Sequence, residues 1–233
     1  MNFKRDHMNV CVVIPSYNEA ETIGKVIQET KQYIDSVLVV DNGCTDSTAE
    51  IARRNGAEVI VYHKKRGYGA SQYAGQQAAI KRGFDYILQL DADGQHSPKY
   101  IPLLLKAMQE GNYDFVIGSR FLVHNGKNFG IARKSGITFF SKAVSILGHT
   151  QITDVTSGFK VYKASSLKKL SKPSDTYPAV EQMLEMAKRK MAIKEVPIEM
   201  FPRAAGESHL SSIRFFIYPL RVLLLLVKVA LFK

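Results

Sequence analysis

Hydrophobic and polar positions switch between two periods along the first half of the chain. Val10 to Ile14 is an unbroken apolar run, the pattern of a strand buried on both faces of a parallel sheet. Pro15-Ser16-Tyr17-Asn18-Glu19 breaks it. From Ala20 to Tyr33, the residues Ile23, Val26, Ile27 and Thr30 recur at helical spacing and share a face. Val37 to Val40 predicts a second strand, ending in Asp41-Asn42-Gly43. Asp46 or Ser47 is placed to cap a helix running to Asn55, with Gly56 as its stop. Glu58 to Tyr62 predicts a third strand. Gly69 to Arg82 predicts a helix rich in Ala and Gln, stopped by Gly83. Tyr86 to Leu90 predicts a fourth strand, and Pro98 opens a helix to Gln109. Tyr113 to Ile117 follows as a strand. Beyond Gly118 the alternation loosens. An apolar helix is predicted over Phe139 to Leu147, a strand at Val161-Tyr162, a helix over Ala179 to Arg189 and a strand over Ile193 to Ile198. This order predicts an α/β fold, a mostly parallel sheet flanked by helices on both faces.

Composition narrows the class. With 233 residues, 45% hydrophobic and 23% charged, the chain is neither disordered nor wholly membrane-embedded. The two cysteines, Cys11 and Cys44, make no disulfide framework and are expected to be reduced thiols. The first apolar run is too short for a secretory signal. The net charge of +11 is uneven. Ser119 to Thr153 holds no acidic residue but contains Arg120, Lys127, Arg133, Lys134 and Lys142. After Glu207 the pattern repeats with Arg214, Arg221, Lys228 and Lys233. Such bias implies an anionic partner: nucleic acid, an anionic membrane or a phosphorylated substrate. No nucleic-acid recognition motif is present, and Asp41, Asp91 and Asp93 would repel bare phosphates, so nucleic acid is not expected as a partner.

Candidate chemistry gathers at strand ends. The first strand ends at Tyr17, Asn18 and Glu19, the second at Asp41, and the fourth at Asp91-Ala92-Asp93-Gly94-Gln95-His96. In a parallel sheet these ends share one edge and would form one polar crevice. Carboxylates one residue apart after a strand suit a hard cation such as Mg²⁺ or Mn²⁺. Lys64-Lys65-Arg66-Gly67-Tyr68-Gly69 adds small residues and a helix start, a second phosphate signal.

Val13 to Glu19, Val40 to Thr48 and Asp91 to His96 occur in the order found in the inverting family 2 glycosyltransferases of GT-A fold. The chain most resembles their polyprenyl-phosphate monosaccharide synthases, typified by dolichyl-phosphate mannose synthase, over about residues 9 to 210. The resemblance implies a GT-A catalytic domain over 1–210, a nucleotide-sugar donor, and Mg²⁺ or Mn²⁺. It implies that Pro15, Tyr17, Glu19, Asp41, Gly67, Gly69, Asp91 and Ala92 line the donor pocket. It assigns the metal to Asp91, Asp93 and Gln95, and the acceptor phosphate to Arg120, Arg133, Lys134 and Arg203. Asp93, Asp154 and Arg120 become the catalytic candidates. Asp154, in Asp154-Val155-Thr156-Ser157-Gly158-Phe159-Lys160, would be a general base if the acceptor were a sugar hydroxyl. A phosphate acceptor is already anionic and needs none.

The last segment, 211–233, is expected to be an amphipathic apolar helix. Arg214, Arg221 and Lys228 stand seven apart and form one basic stripe among apolar residues. Twenty helical residues reach about 30 Å, enough to span a bilayer. Arg221 and Lys228 would each cost ~2.5–3.5 kcal/mol near its centre. Lying in the interface, on the cytosolic face, avoids that cost. Packing on the protein or on another subunit, as in a homo-oligomer, would also cover the apolar face.

Overall fold

The computed structural model describes residues 8–124, 130–175 and 178–201. Seven strands and eight helices alternate along them: β1 (Val10–Ser16), α1 (Ile23–Lys31), β2 (Val37–Asp41), α2 (Thr48–Arg54), β3 (Glu58–Val61), α3 (Tyr68–Lys81) and β4 (Tyr86–Gln89). After a 3-10 turn at Pro98–Tyr100 come α4 (Ile101–Glu110), β5 (Phe115–Ser119), α5 (Phe121–His124) and α6 (Ile131–Leu147). The series closes with β6 (Lys160–Lys163), α7 (Ala164–Leu167), α8 (Pro178–Lys188) and β7 (Ile193–Pro197).

The strands form one sheet in the order β3-β2-β1-β4-β6-β5-β7. All pairings are parallel except those of β6, which runs antiparallel to both β4 and β5. From β1 the chain winds outward to β2 and β3, then returns to place β4 on the other side of β1. The order therefore reverses between β1 and β4, where crevices open at the carboxyl edge of such sheets. Two apolar layers cover the sheet. Val12, Ile14, Ile23, Ile27, Leu104 and Phe159 belong to one. Val13, Leu38, Phe115, Phe140, Tyr162 and Met183 belong to the other.

Helix α3 presses against β1 and β2 at Gly75. A Cβ there would run into Val13 Cγ1 and lie 3.0 Å from Val40 Cγ2. Gly75→Ala is therefore expected to destabilise by about 1–3 kcal/mol through overpacking, despite alanine's better helix propensity. Urea unfolding measures this, and a midpoint at or above wild type would show that α3 can retreat.

The structure departs from the sequence expectations at β1 and at α6, and it decides between the two cap candidates of α2. β1 continues through Pro15 to Ser16. On that side β4 stops at Gln89, paired with Val13, so the missing amide of Pro15 falls beyond the ladder. The helix expected from Phe139 begins eight residues earlier, at Ile131. Polar Arg133, Lys134 and Ser135 masked its first turns, which bury only Ile137. Asp46, and not Ser47, serves the start of α2: its Oδ1 accepts from Thr48 N at 3.0 Å. The expected helix over 211–233, with the 1–210 boundary and Arg203, lies outside the described residues.

Candidate active site

The loops after β1 and β2 are woven into one unit. Asn18 adopts φ 54, a left-handed conformation that asparagine tolerates. Its Oδ1 accepts from Thr45 N at 2.8 Å, and its own N–H meets Cys44 Sγ at 3.2 Å. Glu19 N donates to Thr48 Oγ1 at 2.9 Å, and Ala20 N to Asp46 Oδ2 at 3.1 Å. Burial raises the Asp46 pKa, but hydrogen bonds from the Thr48 hydroxyl and amide and from Ala20 N outweigh it and hold the carboxyl below its ordinary value. Buried Asp41, opposite Ser16 in the register, accepts from Cys44 N at 2.7 Å and so fixes the second loop.

A third loop is tied to the same place. Asn42 Oδ1 accepts from Arg66 N at 2.9 Å and Gly67 N at 3.3 Å. Lys65 Nζ then sits 3.4 Å from the centroid of the Tyr17 ring, a cation–π contact. Gly67 has φ 113, and a Cβ on it would stand 2.6 Å from Asp175 O. Gly69 donates its N–H to that same oxygen at 2.8 Å. Both glycines are demanded by the close passage of the segment 174–175 over the start of α3.

The Asp91–His96 segment leaves β4 beside these loops. Asp91 Oδ1 accepts from Tyr68 Oη at 2.7 Å. A Cβ at Gly158 would run into Asp91 Oδ2, so the chain leaves that carboxylate a cradle. Ala92 is buried in the core. Asp93 Oδ1 accepts from Gln95 N at 3.1 Å across a turn that Gly94, at φ 71, makes possible. Gln95 pairs with Phe201, whose N–H donates to Gln95 O at 2.9 Å. His96 is buried and Nδ1 stands 3.5 Å from Asp91 Oδ2, too far for a good bond, and both ring nitrogens lack hydrogen bonds among the described residues. Burial first, then the Arg120 charge, push its pKa down to about 4, so it is neutral imidazole.

Asp91, Asp93 and Gln95 offer hard oxygens only, the donor type of Mg²⁺ or Mn²⁺. Among the described residues no three His, Cys, Asp or Glu side chains group to hold a metal by themselves. Two carboxylates with a carboxamide fit a cation whose remaining positions are filled by a ligand's phosphates and water.

Opposite lies a buried ion pair. Arg120, at the end of β5, meets Asp154 with two bonds of 2.6 and 2.7 Å and reaches Thr156 Oγ1 at 2.7 Å. Asp154 is fully buried and Arg120 nearly so. Burial alone would raise the Asp154 pKa, but the Arg120 charge and hydrogen bonds hold it below the ordinary carboxylate value. Glu195 of β7 braces the segment by accepting from Thr153 N and Asp154 N, both at 2.9 Å.

The structure thus brings Tyr17, Glu19, Asp41, Gly67 and Gly69 to the loops on one side, and Asp91, Asp93 and Gln95 to the centre. Arg133 and Lys134 stand in the first turn of α6, Arg133 close enough to bear on the His96 charge. Arg120 is turned inward to Asp154. Two members of this constellation have no assigned role in the sequence analysis. Tyr68 reaches Asp91, and Lys160 lies wholly buried with its pKa pushed down to about 8 by burial, against the raising influence of Asp154 and Asp91. A lysine opening the strand run Lys160-Val161-Tyr162 was the available signal.

Comparison with known proteins agrees with this fold. Residues 11–171 match the family described as Glycosyl transferase family 2. The chain is 33% identical over 217 residues to the undecaprenyl-phosphate mannosyltransferase of Micrococcus luteus, covering 88% of each protein. It is 28% identical over 212 residues to the UDP-N-acetylglucosamine–dolichyl-phosphate N-acetylglucosaminyltransferase of Methanococcus voltae, covering 82% of this chain and 84% of that one. In fold it resembles the glucosyl-3-phosphoglycerate synthase of Mycobacterium tuberculosis solved with Mn²⁺, UDP and phosphoglyceric acid. That match has a TM-score of 0.76 at 18% identity and covers 97% of this chain and 80% of that one. A mostly parallel sheet with a polar carboxyl edge, the ordered loop motifs and these relatives agree: the chain belongs to glycosyl transferase family 2 and is a glycosyltransferase.

Proposed function

We propose that the protein moves a monosaccharide from a nucleotide sugar to a polyprenyl phosphate, with inversion, at the cytosolic face of a membrane. The observation that carries the acceptor is the Arg120–Asp154 pair. Asp154 is buried, doubly bonded to a guanidinium and held below the ordinary carboxylate value, which makes it a poor general base. An acceptor phosphate brings its own negative oxygen and needs no such base. The names of the relatives support the same acceptor.

In this reading a phosphate oxygen attacks the anomeric carbon while the bond to the nucleoside diphosphate breaks. Pro15, Tyr17, Glu19 and Asp41 hold the nucleoside, and Gly67 and Gly69 let the backbone approach it. Asp91, Asp93 and Gln95 hold a divalent cation, which when bound offsets charge on the leaving diphosphate. Arg133 and Lys134 draw the acceptor phosphate, each as a charge-assisted donor, and Arg203, outside the described residues, is assigned the same role from the sequence. Arg120 orders the segment that carries Asp154 and Thr156.

The outer face of α6 supports membrane attachment. Ile131, Phe139 and Ile146 are exposed on it, at 87%, 55% and 72%, beside exposed Lys142. Apolar residues with flanking lysines suit an anionic lipid surface. No helix among the described residues is long and apolar enough to cross a membrane. Segment 211–233 would add a second contact.

Incubating the protein with membranes, polyprenyl phosphate and a panel of labelled GDP- and UDP-sugars is expected to give a glycolipid that EDTA suppresses. Folded protein that yields no glycolipid with any donor would overturn the proposal. Comparing thermal shifts with GDP and UDP then identifies the base.

A further inference from the structure

We propose that Tyr68 is a positioning residue, its hydroxyl orienting Asp91 to receive the cation and the donor diphosphate. This rests on the donor and metal reading above.

Tyr68 opens α3, directly after Gly67. The residue is 37% exposed, yet its hydroxyl lies between two polar groups. It accepts from Gln89 Nε2 at 2.8 Å and donates to Asp91 Oδ1 at 2.7 Å. The direction of these bonds is determined by what lies behind. Gln89 is buried, and its Oε1 accepts from Gln76 Nε2 at 3.4 Å and shares the Tyr162 hydroxyl proton with Gln182 Oε1, each also at 3.4 Å. With its oxygen occupied there, the Gln89 amide presents N–H to Tyr68. The Tyr68 oxygen receives that proton and aims its own at Asp91. Tyr162 in turn accepts from Gln72 Nε2 at 3.4 Å, and Gln72 donates to Gln182 Oε1 of α8 at 2.6 Å. Glutamines from α3, β4 and α8 therefore surround the Tyr162 hydroxyl inside the core, and one of them, Gln89, reaches out to Tyr68.

A solvated turn aspartate needs no such support. Buried polar networks are costly, and in this one Gln72 Oε1 has no hydrogen bond among the described residues; what such a network returns is a fixed geometry. Here that geometry is delivered to Asp91, whose other oxygen lies in the Gly158 cradle. Partners that orient metal-binding carboxylates carry about 10–100-fold in metal affinity.

Tyr68→Phe keeps the ring and deletes the donor. Titration calorimetry of GDP and UDP, each with and without Mn²⁺, reads the effect on whichever nucleotide wild type binds. The expected result is about 10-fold or more weaker binding with Mn²⁺ and unchanged metal-free binding, with a melting midpoint lowered only modestly because buried Gln89 Nε2 loses its acceptor. Wild-type affinity in Mn²⁺ would overturn the positioning role, as would an equal loss with and without metal or a lowered midpoint alone. Wild-type protein whose nucleotide binding ignores Mn²⁺ would instead overturn the donor and metal reading beneath it.

Discussion

Asp93→Ala lowers kcat/KM by roughly 10³-fold or more, the loss expected when several kcal/mol of charge stabilisation leave the transition state. The melting transition stays near that of wild type. Asp93 is half-buried on a turn, and truncation removes its bond from Gln95 N, worth about 1 kcal/mol. The contrast between catalysis and stability is what assigns the residue to the site. Glycolipid synthesis and thermal melting on the same preparation check both halves. Substantial activity in the variant would remove Asp93 from the metal site. A collapse of folding would leave it a structural residue.

Breaking the Arg120–Asp154 pair has the largest expected effect on stability. Asp154→Asn leaves a buried guanidinium without its charge partner, at a cost of about 3–5 kcal/mol. Arg120→Met with Asp154→Leu removes both charges and is expected to recover most of that loss, since apolar replacements of buried pairs are often neutral. Denaturant unfolding of the single and double variants measures the coupling. A single variant as stable as wild type would show the pair to be solvated. The pH dependence has a definite sign. A carboxyl held low in the folded state binds fewer protons there than in the unfolded chain, whose aspartates titrate near ~3.9. The stabilisation is present above that pH and is lost only as pH falls below it, towards the depressed folded value. Loss of activity in Asp154→Asn thus requires a folding control before it says anything about a general base.

Much of the sheet was legible because parallel strands buried on both faces read as continuous apolar runs. β2, buried at every position, follows such a run closely. The reversal of β6 was not legible. A four-residue strand carries no mark of its direction, which is decided by how α6 and the 148–159 segment return the chain. Asp41, Asp91 and Asp93 could be assigned to one edge because parallel order alone aligns strand ends. Tyr68 could not be joined to Asp91, because the contact spans twenty-three residues and depends on where α3 lies on the sheet. The inward turn of Arg120 was equally hidden. An arginine in an acid-free stretch reads as a surface cation, and its partner Asp154 arrives from beyond that stretch.

The insertion of β6 has a consequence for synthesis of the chain. Until β6 pairs, β4 has a partner only in β1, and one long row of backbone amides and carbonyls faces outward. Gln89 must wait for Lys160 before that row closes. A ribosome-bound or truncated chain ending before β6 would present an apolar, unpaired strand edge, the template on which foreign strands aggregate. The half that carries β1 to β4 is therefore not a module that can be cut out and kept soluble. Its central strand is sealed only by a strand made seventy residues later.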